Sequence, residues 1–255
     1  MASLILAGES VYLFPYALRR EFTPAIVETF GITKLQLGTM SAVFGVFALL
    51  CYFPGGWLAD RFSARVLLTF SLMGTAAAGL LLLLNPSFAA LAAIYGAWGV
   101  TSILTFWGAL IKATRGWGGD DAQGTAFGLL DGGRGLVAAA IASASAWLFA
   151  ASGQGAEGLR AVIVLYAMAA GLAGLATWAL LPSEADQAPL GEASGLLGRV
   201  AEVIRIPAVW RQTLIVFCGY SAYWGTFDIA VYAVEGYGME QAQGAWISAS
   251  ALWVR

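Results

Sequence analysis

Seven segments of about 18 or more largely apolar residues follow one another along the chain, each as long as an α-helix must be to cross roughly 30 Å of hydrocarbon. They lie at 3–29, 37–59, 66–84, 88–111, 125–152, 159–181 and 210–234, and an eighth begins near Ala242. The runs do not alternate apolar with polar as the strands of a β-barrel do. The expected fold is therefore an all-α membrane protein. Only 11% of the residues are charged, against roughly 25% in a typical soluble domain, so little of this chain is equipped to face water.

The eighth segment is cut off at Arg255, about halfway through a bilayer, which predicts that the chain is a fragment of a longer protein. No basic stretch precedes the first apolar run, so a cleaved leader is not expected. A net charge of −2 offers no basic surface for nucleic acid. The absence of histidine excludes histidine-based acid–base chemistry, and no catalytic pair of nucleophile and base is visible. Cys51 and Cys218 both fall inside apolar spans and read as buried thiols, not as a disulfide or metal pair. No cofactor is expected. Without a Gly-x-x-x-x-Gly-Lys-Ser/Thr loop for nucleotide phosphates, any work must draw on a gradient or an exchange.

Basic residues in the connections set the expected orientation. Arg61, Arg65, Lys112, Arg115, Arg199, Arg205 and Arg211 fall on one side, whereas Lys34 and Arg160 fall on the other. The first side should be cytoplasmic, with the N-terminus inside. The one long connection holds a polar, Pro- and Gly-broken stretch and then LLGRVAEVIRI, whose apolar residues share one helical face and predict a helix lying on the membrane surface. Residues 1–182 then form a six-helix lobe, 183–209 a cytoplasmic linker, and 210–255 the start of a second lobe. Two such lobes are the plan of many secondary transporters.

Charge inside the first span needs an explanation. YALRREF places Arg19, Arg20 and Glu21 near the middle of an apolar segment, where an arginine costs from about 2.5 to over 10 kcal/mol unless it meets a cavity or a partner. At 100° per residue, Glu9, Tyr12, Tyr16, Arg19, Arg20 and Thr23 share an arc of roughly 100°. The helix therefore has one wet face. Two other readings stand beside this one: the span ends near Leu18 and both arginines snorkel to an interface, or Arg20 pairs locally with Glu9 or Glu21 while Arg19 alone faces the cavity.

Between the second and third spans, FPGGWLADRFSAR carries Gly56, Asp60, Arg61 and Arg65. This loop resembles the cytoplasmic signature of the major facilitator superfamily, although alanine stands where the signature has glycine before its last basic residue. The resemblance implies a major facilitator-type helical bundle in which Gly56, Asp60, Arg61 and Arg65 form a conformational latch; the alternative is that the two arginines only anchor the loop at the positive side. The first span, with Tyr12, Tyr16, Arg19, Arg20 and Phe22, resembles that of the organophosphate:phosphate antiporters. That implies substrate binding by Arg19 with Tyr12 and Tyr16. The same family uses an arginine in its seventh span where this chain has Tyr223, which fits a monoanion such as a sulfonate or carboxylate better than a phosphate dianion.

In the fifth span, Asp131 and Arg134 lie three apart among Gly132, Gly133 and Gly135, small residues that admit a close neighbour. The resembled family has a substrate-contacting histidine at the position of Gly133. Arg134 is a candidate second anion ligand, or one half of a pair that only fastens helices. Asp131, Asp228 and Glu9 are candidate proton-coupling carboxylates, Asp228 and Glu9 alternatively solvated positions lining the cavity; Tyr52, Trp98, Trp107 and Trp224 are either cavity walls or packing and interface anchors. The expected function is secondary active transport of a small organic anion by alternating access, as a monomer in the inner membrane, with the bilayer and the anion as its partners. The alternative is a transporter-like receptor that binds such an anion without moving it.

Overall fold

The structure, a computed structural model, describes residues 1–182 and 203–253. No strand occurs among the described residues. The stretch 183–202, which holds most of the expected linker and surface helix, lies outside them. So does the side chain of Tyr223.

The first span is one helical column with two irregularities. Helix α1 (Ala2–Ser10) leads through a π turn (Leu13–Ala17) into α2 (Leu18–Phe30). Pro15 has no N–H to offer, and the Tyr12 carbonyl accepts from both Tyr16 N at 3.1 Å and Ala17 N at 3.3 Å, which admits one extra residue into the turn. Pro24 adds a second break: Phe22, two residues before it, takes φ −124° and ψ 23°. The column nonetheless continues to Phe30, so the span does not end near Leu18.

Gly31 then turns the chain at φ 59°, with Ile32 N reaching back to the Val27 carbonyl, a glycine-closed helix end. Thr33 caps α3 (Lys34–Arg61) in a reciprocal capping box with Gln36. Helix α4 (Ala64–Leu80) tightens into a 3₁₀ turn over Leu81–Leu84 and closes at Asn85 in the left-handed region. The fourth span is α5 (Phe88–Ser102), a second π turn (Ile103–Trp107) and α6 (Gly108–Gly118). Helices α7 (Gln123–Ala151) and α8 (Gly155–Leu180) complete the fifth and sixth. After 183–202 come α9 (Pro207–Trp224), a 3₁₀ turn (Gly225–Asp228), α10 (Ile229–Tyr237) and α11 (Gln241–Ser250).

Five of these stretches, 34–61, 64–84, 88–118, 123–151 and 155–180, are each long and apolar enough to cross a membrane. Helix α3 turns Val46, Phe47, Leu49, Leu50, Phe53 and Trp57 outward, as a surface facing hydrocarbon does. Its other face packs against the fourth span with backbones in near contact: a Cβ on Gly99 would stand 2.6 Å from the Phe44 carbonyl oxygen, and one on Gly55 2.8 Å from that of Ile103.

The first span packs mainly against α7, α8 and α11. Phe14 is fully buried, stacked on Trp98 at 5.3 Å and edge-on to Tyr166 at 5.9 Å. Trp98 thus belongs to the core, its indole N–H donating to the Thr75 carbonyl. Of the two cysteines, Cys51 is buried, but Cys218 is exposed on α9, as are the residues from Trp210 to Ser221 around it.

Helices α10 and α11 close against the end of the bundle that carries Lys34 and Gln154. Lys34 pairs with Glu235, Gln241 donates to Glu28 at 2.8 Å, and Gln154 accepts from Ala242 N at 3.1 Å. The opposite end carries Arg61, Arg115 and Arg211.

Candidate functional site

A cavity of about 300 Å³ lies between the first span, α3, the fourth span, α7 and α9. Tyr12, Tyr16, Tyr52, Trp107, Tyr220 and Trp224 wall it with aromatic faces. Glu9, Arg20 and Arg134 bring charge to it. Tyr16 stands at its centre of packing, edge-on to Phe44 at 5.3 Å on one side and to Trp224 at 6.0 Å and Phe227 at 6.1 Å on the other.

Both π turns open onto this cavity. The first contributes Tyr16 and Ala17, the second Ile103 and Trp107. In the second, the Thr101 carbonyl accepts hydroxyl bonds from Ser71 at 2.7 Å and Thr105 at 3.1 Å, and Ser102 bonds back to the Trp98 carbonyl at 2.6 Å. Hydroxyls that take over backbone acceptors loosen the regular i to i−4 ladder. Pro15 and the TSILT run were the legible signals for these turns, which the wheel passed over.

The consequence falls on the arginine pair. A π turn holds one residue more than an α turn, so everything after it is carried round by about one position. Of the two arginines that a regular 100° step places on the wet arc, Arg20 is therefore the one that reaches the cavity. Arg19 does not line the cavity: it is half-buried against α3, donating to Ser41 Oγ at 2.9 Å. Arg20 lines it and is 8% exposed, which excludes snorkelling to an interface.

Arg20 is bound to the carboxylate beside it. Its Nη2 donates to Glu21 Oε1 at 2.8 Å. The other oxygen of Glu21 accepts from Ser145 on α7 at 2.9 Å and from Tyr166 on α8 at 3.2 Å. A buried arginine alone would be severely costly, whereas a buried pair with its remaining lone pairs satisfied is tolerable. Ser145 and Tyr166 carry no sequence signal for this role; they are 124 and 145 residues from Glu21.

Arg134 is held more loosely. It crosses α1 over Gly8, where a Cβ would stand 2.8 Å from its Cδ. Its Nε is 3.8 Å from Glu9 Oε2, an ion pair too long for a hydrogen bond, and that nitrogen is buried with no hydrogen-bond partner. Asp131 lies 3.4 Å from Nη1, but its side chain is 72% exposed, so it is the weaker partner. Gly133 admits Ile5 of α1, while Gly132 and Gly135 face open space. Asp228 is exposed at the start of α10 and does not line the cavity.

The signature loop lies at the Arg61 end. Asp60 is exposed and makes no ion pair among the described residues. Arg61 stacks on Trp57 and Arg65 on Trp178 of α8, each at 4.2 Å, and Gly56 faces open space. Here α3 is tied to the fourth span by Lys112, which donates to the Ala59 and Phe62 carbonyls at 3.1 and 3.4 Å.

Membrane-length apolar helices gathered around a half-open cavity lined by aromatic and charged side chains define a multi-pass α-helical membrane protein. The chain belongs to the Major Facilitator Superfamily, whose family profile matches residues 5–254. It is 26% identical to inner membrane protein YqcE of Escherichia coli over 234 residues, covering 90% of this chain and 55% of that protein. With inner membrane protein YihN of the same organism the figures are 27% over 232 residues, 89% and 55%. A shorter match, 40% over 55 residues, joins 22% of this chain to 13% of a D-galactonate transporter of Escherichia coli O6:H1. The chain thus spans about half the length of the first two relatives. No solved structure matches it. Family membership points to a transporter and away from an enzyme.

Proposed function

We propose that the protein is a secondary active transporter that moves a small organic anion across the inner membrane by alternating access, with the cavity at Arg20 and Arg134 as its binding site. The observation that carries this is the pair of guanidinium groups, Arg20 buried and Arg134 partly buried, lining one aromatic-walled cavity. Such a combination suits an anionic head with a hydroxyl-bearing body: arginine supplies directed donors for the charge, and tyrosines supply both stacking faces and hydroxyl groups.

Arg134 is the principal ligand, since its Nε has a donor to give, and Tyr12, whose ring lies 5.8 Å from its Cζ, flanks it with Tyr16. Arg20 is the second cation. A sugar acid, a sulfonate or a sugar phosphate meets these requirements; the D-galactonate relative favours the carboxylate, and the likeness of the first span to organophosphate:phosphate antiporters keeps the phosphate in view. Glu9, which faces Arg134, is the coupling carboxylate, because an arriving anion competes for the same guanidinium. The N-terminus lies inside, residues 1–182 form the first lobe of a monomer, and the Lys34–Glu235 end is the outer gate.

Binding of D-gluconate to the purified protein by calorimetry is the test. The proposal expects saturable binding that Arg134→Gln weakens at least tenfold; binding unaffected by that change would contradict it. Binding that persists without flux in vesicles would instead make the protein a receptor.

A further inference from the structure

We infer that Glu21 sets the charge of the anion this cavity accepts, acting through Arg20 to restrict it to singly charged species. The inference rests on the anion-binding reading above.

Among the described lining residues the cations are Arg20 and Arg134, and the carboxylate is Glu9. On that set alone the cavity would carry one net positive charge, whose attraction for an anion grows with the anion's charge. Glu21 does not line it, yet its Oε1 lies 2.8 Å from Arg20 Nη2, and its side chain is fully buried. Asp131 also lies 3.4 Å from Arg134, but its side chain is 72% exposed and solvent screens it. Among the described groups shielded from solvent, two arginines then face two carboxylates, Glu9 and Glu21, and their charges balance.

A balanced site in surroundings of low dielectric discriminates by valence. A monoanion leaves one uncompensated negative charge, which one proton or one co-transported cation neutralises. A dianion leaves two, and Coulomb repulsion in a poorly screened cavity rises accordingly. Glu21 is also unable to step aside. Its second oxygen is tied at once to Ser145 of α7 and Tyr166 of α8, which bond to each other at 3.3 Å. Glu9, by contrast, faces Arg134 at 3.8 Å without a hydrogen bond and is free to yield it. The two carboxylates thus divide the work: one is exchanged for substrate, the other is a fixed charge that subtracts from the site's capacity.

The experiment measures the affinity of the purified protein for D-gluconate and for D-glucose 6-phosphate at pH 7.5, as monoanion and dianion of similar size, in the wild type, Glu21→Gln and Ser145→Ala. The wild type is expected to favour gluconate at least tenfold. Glu21→Gln, which removes the fixed charge while keeping an acceptor for Ser145 and Tyr166, should shift the ratio of affinities at least tenfold toward glucose 6-phosphate. Ser145→Ala loosens the carboxylate but keeps its charge, so the ratio should stay within about twofold of the wild type.

An unchanged ratio in Glu21→Gln, with both anions still bound, overturns the role of Glu21 alone. Absence of binding of either anion to the wild type overturns the anion-binding reading and this inference together. Should Glu21→Gln not give a monodisperse protein, the wild-type ratio decides: equal affinities for the two anions contradict a balanced site.

Discussion

Arg134 of α7 passes over Gly8 of α1 so closely that a single added carbon on the glycine would stand 2.8 Å from Arg134 Cδ. The position of this partly buried charge is therefore set by the absence of a side chain on the opposing helix. Glu9, one residue on, supplies the carboxylate that the guanidinium faces.

This geometry gives a graded expectation for Gly8. Alanine pushes only the flexible stem of Arg134 and should weaken D-gluconate binding several-fold. Valine fills the crossing and should weaken it by more than tenfold, with size-exclusion and thermal melting showing an intact fold. Calorimetry on the two variants checks the order. Equal affinities in wild type and valine variant would mean that Arg134 does not touch the ligand.

Glu9 should matter to accumulation more than to exchange. With Glu9→Gln, vesicles loaded with D-gluconate should still exchange it for labelled D-gluconate outside, since Arg134 remains. They should no longer concentrate the label when a pH gradient is imposed. Gradient-driven uptake at the wild-type level in this variant would remove Glu9 from the coupling role.

The contacts between Lys34 and Glu235 are exposed, so as a bond they are worth about 0–1 kcal/mol, and Lys34→Ala should leave thermal stability nearly unchanged. Their value is as a marker of the closed end. The double variant Lys34→Cys, Glu235→Cys should cross-link readily and lose flux on oxidation, and recover it on reduction. Undiminished flux in the cross-linked protein would show that this end does not open during transport.

The fold was legible because its signal is long and redundant. Apolar runs at 37–59 and 125–152 became helices 34–61 and 123–151, and errors of a few residues at each end do not change which face is buried. Gly31, Thr33 and Gln36 closed the first connection with familiar end chemistry. The site was legible only in part. Glu9, Tyr12, Tyr16 and Arg134 line the cavity, as the one wet face and the Asp131–Arg134 spacing anticipated.

The choice between Arg19 and Arg20 depended on a single extra residue in a turn. A wheel with a fixed 100° step has no place for it, although Pro15 announced that a backbone donor was missing. Asp131 and Asp228 stood out as candidate proton sites because their neighbours in sequence are apolar, but a helix among helices has an outer side as well, and both are exposed. Ser145 and Tyr166 could not be found at all, since only tertiary packing brings α7 and α8 to Glu21. Cys218 shows the same limit: an apolar sequence context says that a residue avoids water, not that protein covers it.

The exchange of roles between the two neighbouring arginines is where the account is most exposed to a single result. Counterflow of labelled D-gluconate into vesicles, measured side by side for Arg19→Gln and Arg20→Gln, tests it. Arg20→Gln should cut the initial rate at low substrate at least tenfold, whereas Arg19→Gln, which loses only a bond to Ser41, should stay within about threefold of the wild type. The reverse order, with Arg19→Gln inactive and Arg20→Gln active, would contradict the cavity as the site of transport.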